Sequence, residues 1–177
     1  AKSANAHRVS EKLIGHPNVV FSHAVLGDES QIVLLTADDP ISLKLALHNQ
    51  IRTHHGDRHH YITGTSTHMV TSFFGLNPDK ESFKLNSNYH AWVTANLSAP
   101  DPEEFCALRI AKNLEVENER LQYGAKITAA APVIGDFDMF FLIEAETFDG
   151  LSYVLDNELR SSGLIQETCT HMVTKEV

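Results

Sequence analysis

The pentapeptide Thr-His-Met-Val-Thr occurs twice in this chain, at residues 67–71 and again at residues 170–174. Each copy follows a segment with helical spacing of apolar residues and closes a run of alternating strands and helices. When the two runs are aligned, Gly27 falls on Gly135. A histidine-rich loop at 54–60 accounts for the five extra residues that the first run then contains. The chain is therefore predicted to be an internal duplication.

The composition is that of a globular chain with a conventional core. It has 177 residues, of which 42% are hydrophobic, and a net charge of −9. Lys and Arg are scattered and form no basic stripe, so direct nucleic-acid binding by this segment is not expected. No apolar run is long enough for a membrane span or a signal peptide, so no membrane partner is expected. Cys106 and Cys169 lack paired spacing, which fits a cytoplasmic location.

The first half, residues 1–76, is predicted to contain two helices and three strands. Apolar spacing predicts a helix up to about Ile14, and Asp39-Pro40 predicts the cap and first residue of a second helix. The strands are expected at 19–26, 31–36 and 61–74, the first two joined by the hairpin turn Gly27-Asp28-Glu29-Ser30. This half lacks an opening strand.

A polar linker at 77–88 leads to the second half, residues 89–177. Alternation predicts a strand at Tyr89–Leu97, and Asp101-Pro102 predicts the start of a helix. Two further strands are expected at 127–134 and 139–145. A helix that carries Leu151, Leu155 and Leu159 and is ended by Gly163 follows, and then a closing strand at 164–174. This β-α-β-β-α-β order is the ferredoxin-like arrangement, so the fold class is α+β with two tandem ferredoxin-like repeats, the first of them incomplete.

The second half contains, in this order, the turn Gly135-Asp136-Phe137-Asp138, a Phe-rich and Leu-rich strand, a helix ended by Gly163, and the closing pattern Thr168-x-Thr170-x-x-Val173. In these features it resembles the effector-binding RAM domain of Lrp/AsnC-type transcriptional regulators. The resemblance covers nearly all of residues 89–177 and, more weakly, residues 1–74, which have Glu29-Ser30 in place of Phe137-Asp138. No helix-turn-helix segment precedes or divides the copies, so the chain is expected to lack its own DNA-binding segment.

This resemblance implies a dimeric α/β barrel, formed within one chain by the two packed antiparallel sheets, and further assembly into a homo-oligomer. It also implies an effector, an amino acid or related metabolite, bound near the turn between the second and third strands. The implied ligand-binding residues are Gly135, Asp136 and Asp138, with Gly27 and Asp28 as partial counterparts. A glycine permits close approach, and a carboxylate receives an ammonium group. The alternative is that both Gly-Asp sequences are ordinary hairpin turns.

The histidines are the other candidates. His68 and His171 occupy equivalent positions in the two pentapeptides, and three roles stay open for them: packing at the sheet, contact with the ligand, or proton transfer. The histidines at 54–60 lack the spacing of a transition-metal site, so an exposed polar loop is expected there and no metal is predicted.

An enzyme is the alternative function. Paired ferredoxin-like sheets also enclose the sites of small oxygenases, decarboxylases and haem-linked enzymes. The sequence contains no assembled nucleophile, base and orienting group, and no glycine-rich phosphate loop. We therefore predict a binding module without a catalytic residue or cofactor, and keep the barrel enzyme as the second hypothesis.

Overall fold

The computed structural model describes residues 13, 17–26, 31–48, 66–70, 72–75, 87–98 and 124–176. The chain divides into two compact units, Ala1–Ser66 with Val173–Val177, and Thr67–Met172. The strands are β1 Val19–Leu26, β2 Gln31–Leu35, β3 Met69–Val70, β4 Phe74–Gly75, β5 Tyr89–Leu97, β6 Ala125–Ile134, β7 Met139–Ala145 and β8 Ile165–Glu176; the helices are α1 Pro40–Ala46 and α2 Phe148–Tyr153. Within these ranges no helix combines the length and hydropathy needed to cross a bilayer.

The described part of the first unit is a hairpin followed by a helix. β1 and β2 pair antiparallel, with Val19 opposite Leu35 and Ala24 opposite Gln31, as predicted. The end of β8 also belongs to this unit, and the Thr174 hydroxyl donates a hydrogen bond to the Ala24 carbonyl at 3.1 Å. The predicted turn at Gly27 and Asp28 lies outside the described residues.

Helix α1 begins where the sequence predicted it. The Asp39 carboxylate accepts hydrogen bonds from the backbone N–H groups of Ile41 at 2.8 Å and Ser42 at 3.0 Å. The Ser42 hydroxyl also donates to this carboxylate, and that bond, followed by the two backbone N–H bonds, lowers the pKa of Asp39. The cap thereby satisfies N–H groups that no helical carbonyl can reach.

The second unit contains an antiparallel sheet in the order β8-β5-β7-β6. The opening strand β5 therefore lies between the closing strand β8 and the third strand β7, as in a ferredoxin-like fold. The register is regular from Tyr89 opposite Ala145 to Ala95 opposite Met139. The prediction of an α+β fold dominated by an antiparallel sheet is confirmed, and this strand order is compatible with the ferredoxin-like arrangement.

One face of this sheet packs against α2 and the turns that continue it. The Thr147 hydroxyl caps α2 by accepting a hydrogen bond from the Gly150 N–H at 3.1 Å. A wider π-type turn at Val154–Leu159 and a 3₁₀ turn at Arg160–Ser162 follow, and Gly163, with φ of 69°, ends the segment. Alternating small and large side chains fill the interface, so the burial of apolar surface stabilises the unit. Its largest buried members are Phe141, Met139, Ile143, Leu151, Leu159 and Val93.

Two short strands, β3 and β4, pair with the edge of β6 that faces away from β7. The sequence predicted one strand at 61–74, but the described part of it forms two short strands, β3 and β4, that both pair with β6. The register changes from Val70 opposite Val133 to Phe74 opposite Ala130, a shift of one residue between the two short strands, which is typical of a β-bulge. The cause is Pro132. The neighbouring Val133 N–H donates to the Asp138 carbonyl on the β7 side, so the nitrogen of Pro132 faces β3 and β4 and has no hydrogen to offer them.

Gly75 of β4 lies against a second bulge, which is in β6 at Thr128. In the β6–β7 ladder Thr128 is the extra residue, because Ile127 pairs with Ile143 and Ala129 with Leu142. Gly75 has φ of 94°, and a Cβ atom on it would overlap the Thr128 carbonyl oxygen and lie 3.2 Å from the Ala129 Cα atom. The position therefore requires glycine for its backbone conformation and for the space it leaves.

We predict that Gly75→Ala lowers the free energy of unfolding by more than about 2 kcal/mol, because strained φ and a backbone overlap act together. Gly163→Ala is the matched control: φ is also positive, but no atom lies within 4 Å of its Cβ position, so about 1 kcal/mol is expected. Urea denaturation of both variants measures the difference. Equal losses would show that the contact with Thr128 contributes nothing.

Candidate functional site

The turn between β6 and β7 is tied to the centre of the sheet by Asp138. The Asp138 carboxylate accepts a hydrogen bond from the Leu97 N–H at 2.8 Å, and its own N–H donates to the Ala95 carbonyl at 3.1 Å. The Val133 N–H closes the turn on the Asp138 carbonyl at 2.9 Å. Asp138 therefore anchors the turn to β5, and one of its carboxylate oxygens is already engaged.

His68 lies on the first residue of the same turn. The register puts Met69 opposite Ile134, so His68 comes opposite Gly135. A Cβ atom on Gly135 would overlap His68 Nδ1 and lie 2.9 Å from its Cγ atom and 3.0 Å from its Cε1 atom. Glycine is needed here because the imidazole covers its Cα atom, not because of a left-handed φ. The predicted close approach at Gly135 is thus made by a side chain of the protein itself.

The backbone N–H of Asp136 donates a hydrogen bond to His68 Nδ1 at 3.3 Å. This distance is at the long end for a hydrogen bond. The acceptor must be a ring nitrogen without a proton, so Nδ1 of His68 is unprotonated in this arrangement. The Asp136 side chain is exposed. One residue therefore offers a hydrogen-bond donor and a carboxylate side by side at the surface.

A series of aromatic rings runs from His68 into the interior. The ring centroids are 4.2 Å apart for His68 and Phe137, 5.8 Å for Phe137 and Phe140, and 4.7 Å for Phe140 and Trp92. Trp92 is 1% exposed and is the only tryptophan of the chain. Displacement of the outer ring is therefore expected to change the surroundings of a single fluorophore.

An apolar pair flanks the turn on its outer side. Met69 is 56% exposed and Ile134 is 64% exposed, and the two are direct partners in the β3–β6 ladder. Partners across an antiparallel ladder place their side chains on the same face. The turn thus presents a donor, a carboxylate and a small apolar surface next to one another.

His171 has different surroundings from His68. It lies on β8 opposite Trp92 and is 4% exposed. His90 and Glu144, also buried, face each other across β5 and β7. Because His90 and Trp92 are two residues apart on one strand, all three ionisable side chains lie on one face of the sheet, opposite the face that packs on α2.

The buried imidazole of His90 is held as a neutral acceptor. His90 Nε2 accepts a hydrogen bond from the Ser87 N–H at 3.3 Å. Burial disfavours the charged ring and lowers the pKa of His90, while the negative charge of Glu146 partly opposes this shift.

The first unit has an open depression beside α1, with a volume of about 510 Å³. Two of the polar residues that line it are hydrogen-bonded to each other. The Asn18 side-chain amide donates to the Thr36 carbonyl at 3.0 Å, and the Thr36 N–H donates to the Asn18 carbonyl at 2.9 Å. No sequence pattern predicted this depression. The only ionisable side chain among the described residues that line it is that of Asp38.

The structure thus unites some of the predicted site residues and not others. Gly135, Asp136 and His68 meet at one turn, Asp138 anchors that turn, and His171 lies on β8. Gly27, Asp28 and the loop at 54–60 are outside the described residues. Sequence reasoning missed the aromatic contacts and the partner of Asp138, which are Phe137, Phe140, Trp92 and Leu97. Among the described residues, no three His, Cys, Asp or Glu side chains are grouped closely enough to hold a metal ion.

Comparison with known protein families and with curated proteins gave no match. Solved structures of Lrp/AsnC-type regulators do show similarity. The transcriptional regulator NMB0573 of Neisseria meningitidis, in complex with L-Met, is 17% identical with a TM-score of 0.38, over 77% of this chain and 69% of that one. AsnC of E. coli is 17% identical with a TM-score of 0.36, over 76% and 70%. FFRP-DM1 is 22% identical with a TM-score of 0.31, over 48% and 97%.

We predict that Asp138→Ala lowers the free energy of unfolding by about 1.5–3 kcal/mol, the usual contribution of a hydrogen bond to a charged group. Asp138→Asn keeps an acceptor for the Leu97 N–H and should cost less. The exposed Asp136→Ala serves as control and should change stability by less than about 0.5 kcal/mol. Chemical denaturation distinguishes the cases. A mild effect of Asp138→Ala, equal to that of the control, would contradict the anchoring role.

We also predict that His90 makes the protein less stable in mild acid. Since the pKa of folded His90 lies below its ordinary 6.5, the unfolded chain takes up a proton first, and stability falls as the pH drops from 6.5 toward the lowered pKa. His90→Gln keeps an acceptor for the Ser87 N–H but does not titrate. Its midpoint of thermal unfolding should therefore fall less steeply than that of the wild type over this window. Parallel profiles would exclude the contribution of His90.

Proposed function

We propose that the chain is a small-molecule effector-binding module of the kind found in Lrp/AsnC-type regulators, and that it binds an amino acid or related metabolite at the β6–β7 turn. The observation that carries the proposal is the combination of groups at Asp136. Its N–H is a donor for a carboxylate and its side chain is an acceptor for an ammonium group, and both lie at an exposed turn. An α-amino acid carries the two complementary charges on neighbouring atoms.

The apolar pair beside the turn favours an effector whose own side chain is apolar. Met69 and Ile134 are exposed on one face of the ladder next to Gly135. An aliphatic or thioether side chain that covers them removes apolar surface from water, at about 25 cal/mol per Å². The proposed effector is therefore an amino acid with an apolar side chain.

The proposal includes the duplication of the chain. β1 and β6 correspond when the two halves are aligned, and each contacts the closing strand of the other half. β3 and β4 pair with β6, and the Thr174 hydroxyl at the end of β8 donates to the Ala24 carbonyl of β1. This reciprocal pairing supports two copies of one unit, and we propose that they correspond to residues 1–76 and 89–177 and assemble further into a homo-oligomer. The barrel of two packed sheets stays a prediction.

A thermal-shift screen with the twenty proteinogenic L-amino acids tests the proposed effector. At about a hundred times its Kd, a ligand raises the free energy of unfolding by about 2.7 kcal/mol. For a chain of this size, each kcal/mol raises Tm by about 2–4 °C. We expect the largest shifts with apolar amino acids and none with their amides, which lack the carboxylate.

Asp136→Asn should weaken that binding about tenfold or more, because it removes the charged acceptor for the ammonium group but keeps the N–H. Asp149→Asn, an exposed acid in the first turn of α2, is the matched control and should bind as the wild type does. Calorimetric titration measures both. If no amino acid shifts Tm, or if Asp136→Asn binds like the control, the proposed site is wrong.

A further inference from the structure

We infer that the His68 imidazole and the effector exclude each other at the β6–β7 turn, so that effector binding releases β3 from β6. This inference rests on the proposed function, because it names how that same site is regulated. His68 comes from the first of the two pentapeptides, whereas the turn belongs to the second half of the chain. His68, which occupies the proposed site, therefore directly precedes β3, and we infer that β3 separates from β6 when the effector binds.

The steric part of the argument concerns Gly135. The imidazole occupies the position that a Cβ atom of Gly135 would take, and it packs on Phe137 at 4.2 Å between ring centroids. No ligand group can lie over the Gly135 Cα atom while the ring is there. Access to this side of the turn therefore requires the ring to move.

The hydrogen bond gives the exchange its direction. The Asp136 N–H is bound to a neutral ring nitrogen at 3.3 Å. A carboxylate would make a charge-assisted bond to the same N–H, typically about 2.7–2.9 Å long and roughly twice as strong as a neutral one. One N–H cannot make both bonds well, so an effector carboxylate is expected to replace the imidazole.

The strand that directly follows His68, β3, has few contacts. β3 has two residues, Met69 is 56% exposed, and the ladder beyond Val70 is broken opposite Pro132. Short edge segments with little buried apolar surface open at low cost. The next anchor, Gly75 on the Thr128 bulge, lies beyond the break, so release is expected to stop at β4.

Ligand-free variants test whether His68 holds β3 in place. The readout is hydrogen exchange at the Ile134 amide, which faces β3 because the preceding Val133 N–H faces β7. Gly135→Ala forces the imidazole out and should raise the exchange rate of this amide roughly tenfold, the effect of one lost net hydrogen bond. The emission of Trp92 should change in parallel through the contacts of Phe137 and Phe140.

His68→Ala should raise the same exchange rate by a similar factor. In the double variant the two effects should not add, because both remove one contact. Gly163→Ala is the control for a glycine substitution and should leave the Ile134 amide unchanged. If Gly135→Ala leaves both the exchange rate and the Trp92 emission as in the wild type, or if the effects of the two substitutions add, the inference is overturned.

Ligand titrations test the exclusion itself, with the L-amino acids as probes. If His68 competes with the effector, His68→Ala should bind the stabilising amino acid about five- to tenfold more tightly, since the cost of removing the ring is absent. A weaker or unchanged Kd would mean that His68 contacts the ligand or is irrelevant to it, and would overturn the inference while the proposed function stands. Absence of binding to the wild type and to His68→Ala alike would overturn both.

Discussion

A missing hydrogen-bond donor on the outer edge of β6 determines how the second unit is completed. β6 pairs with β7 on one side along most of its length, but Pro132 interrupts the other side. A partner strand there cannot form a continuous ladder, so β3 and β4 pair with β6 as two short strands, with a shift of register between them, instead of as one long strand. Each pairing is then secured at its far end by a glycine.

The two glycine contacts are complementary. At one end, Gly75 of the added strand makes room for the Thr128 carbonyl of β6; at the other, Gly135 next to β6 makes room for His68 of the added strand. The first contact joins backbone to backbone and has no alternative partner. The second joins a side chain to a turn, and the Asp136 N–H that it uses can serve another acceptor. The same edge is therefore fixed at β4 and exchangeable at β3.

The two aspartates of the turn have separate roles for a geometric reason. Asp138 points back to the sheet. The β5–β7 ladder ends at Ala95, and the Asp138 carboxylate accepts the N–H of Leu97 beyond that end. Asp136 is exposed. Both were predicted from the sequence as ligand-binding residues, because the sequence of a Gly-Asp-Phe-Asp turn does not show which carboxylate faces the neighbouring strand. The hydrogen bonds of Asp138 hold the turn and support the binding proposed at Asp136, since a donor that is already positioned loses less entropy on binding.

Local signals in the sequence were sufficient for most of the elements. The alternation of apolar and polar residues predicted both ends of β5, Tyr89 and Leu97, correctly. Asp39 predicted the start of one helix and Gly163 the end of another. Each of these features depends only on neighbours along the chain. The partner of residues 69–75 could not be predicted in this way. It depends on which distant edge is open and where that edge carries a proline, and the contact of His68 with Gly135 follows only once this register is known.

The repeated pentapeptide shows the same limit most directly. Its two histidines have identical neighbours in sequence, yet His68 lies half-buried on a surface turn and His171 is buried opposite Trp92. Sequence identity gives both segments the same strand propensity and the same alternation, but the environment of a side chain is set by the strand across from it. β3 has β6 beside it and begins next to the β6–β7 turn, whereas β8 has β5 beside it from Ile165 to Met172. One repeated pentapeptide therefore places the same residue type in two environments, half-buried against a surface turn and buried within a sheet.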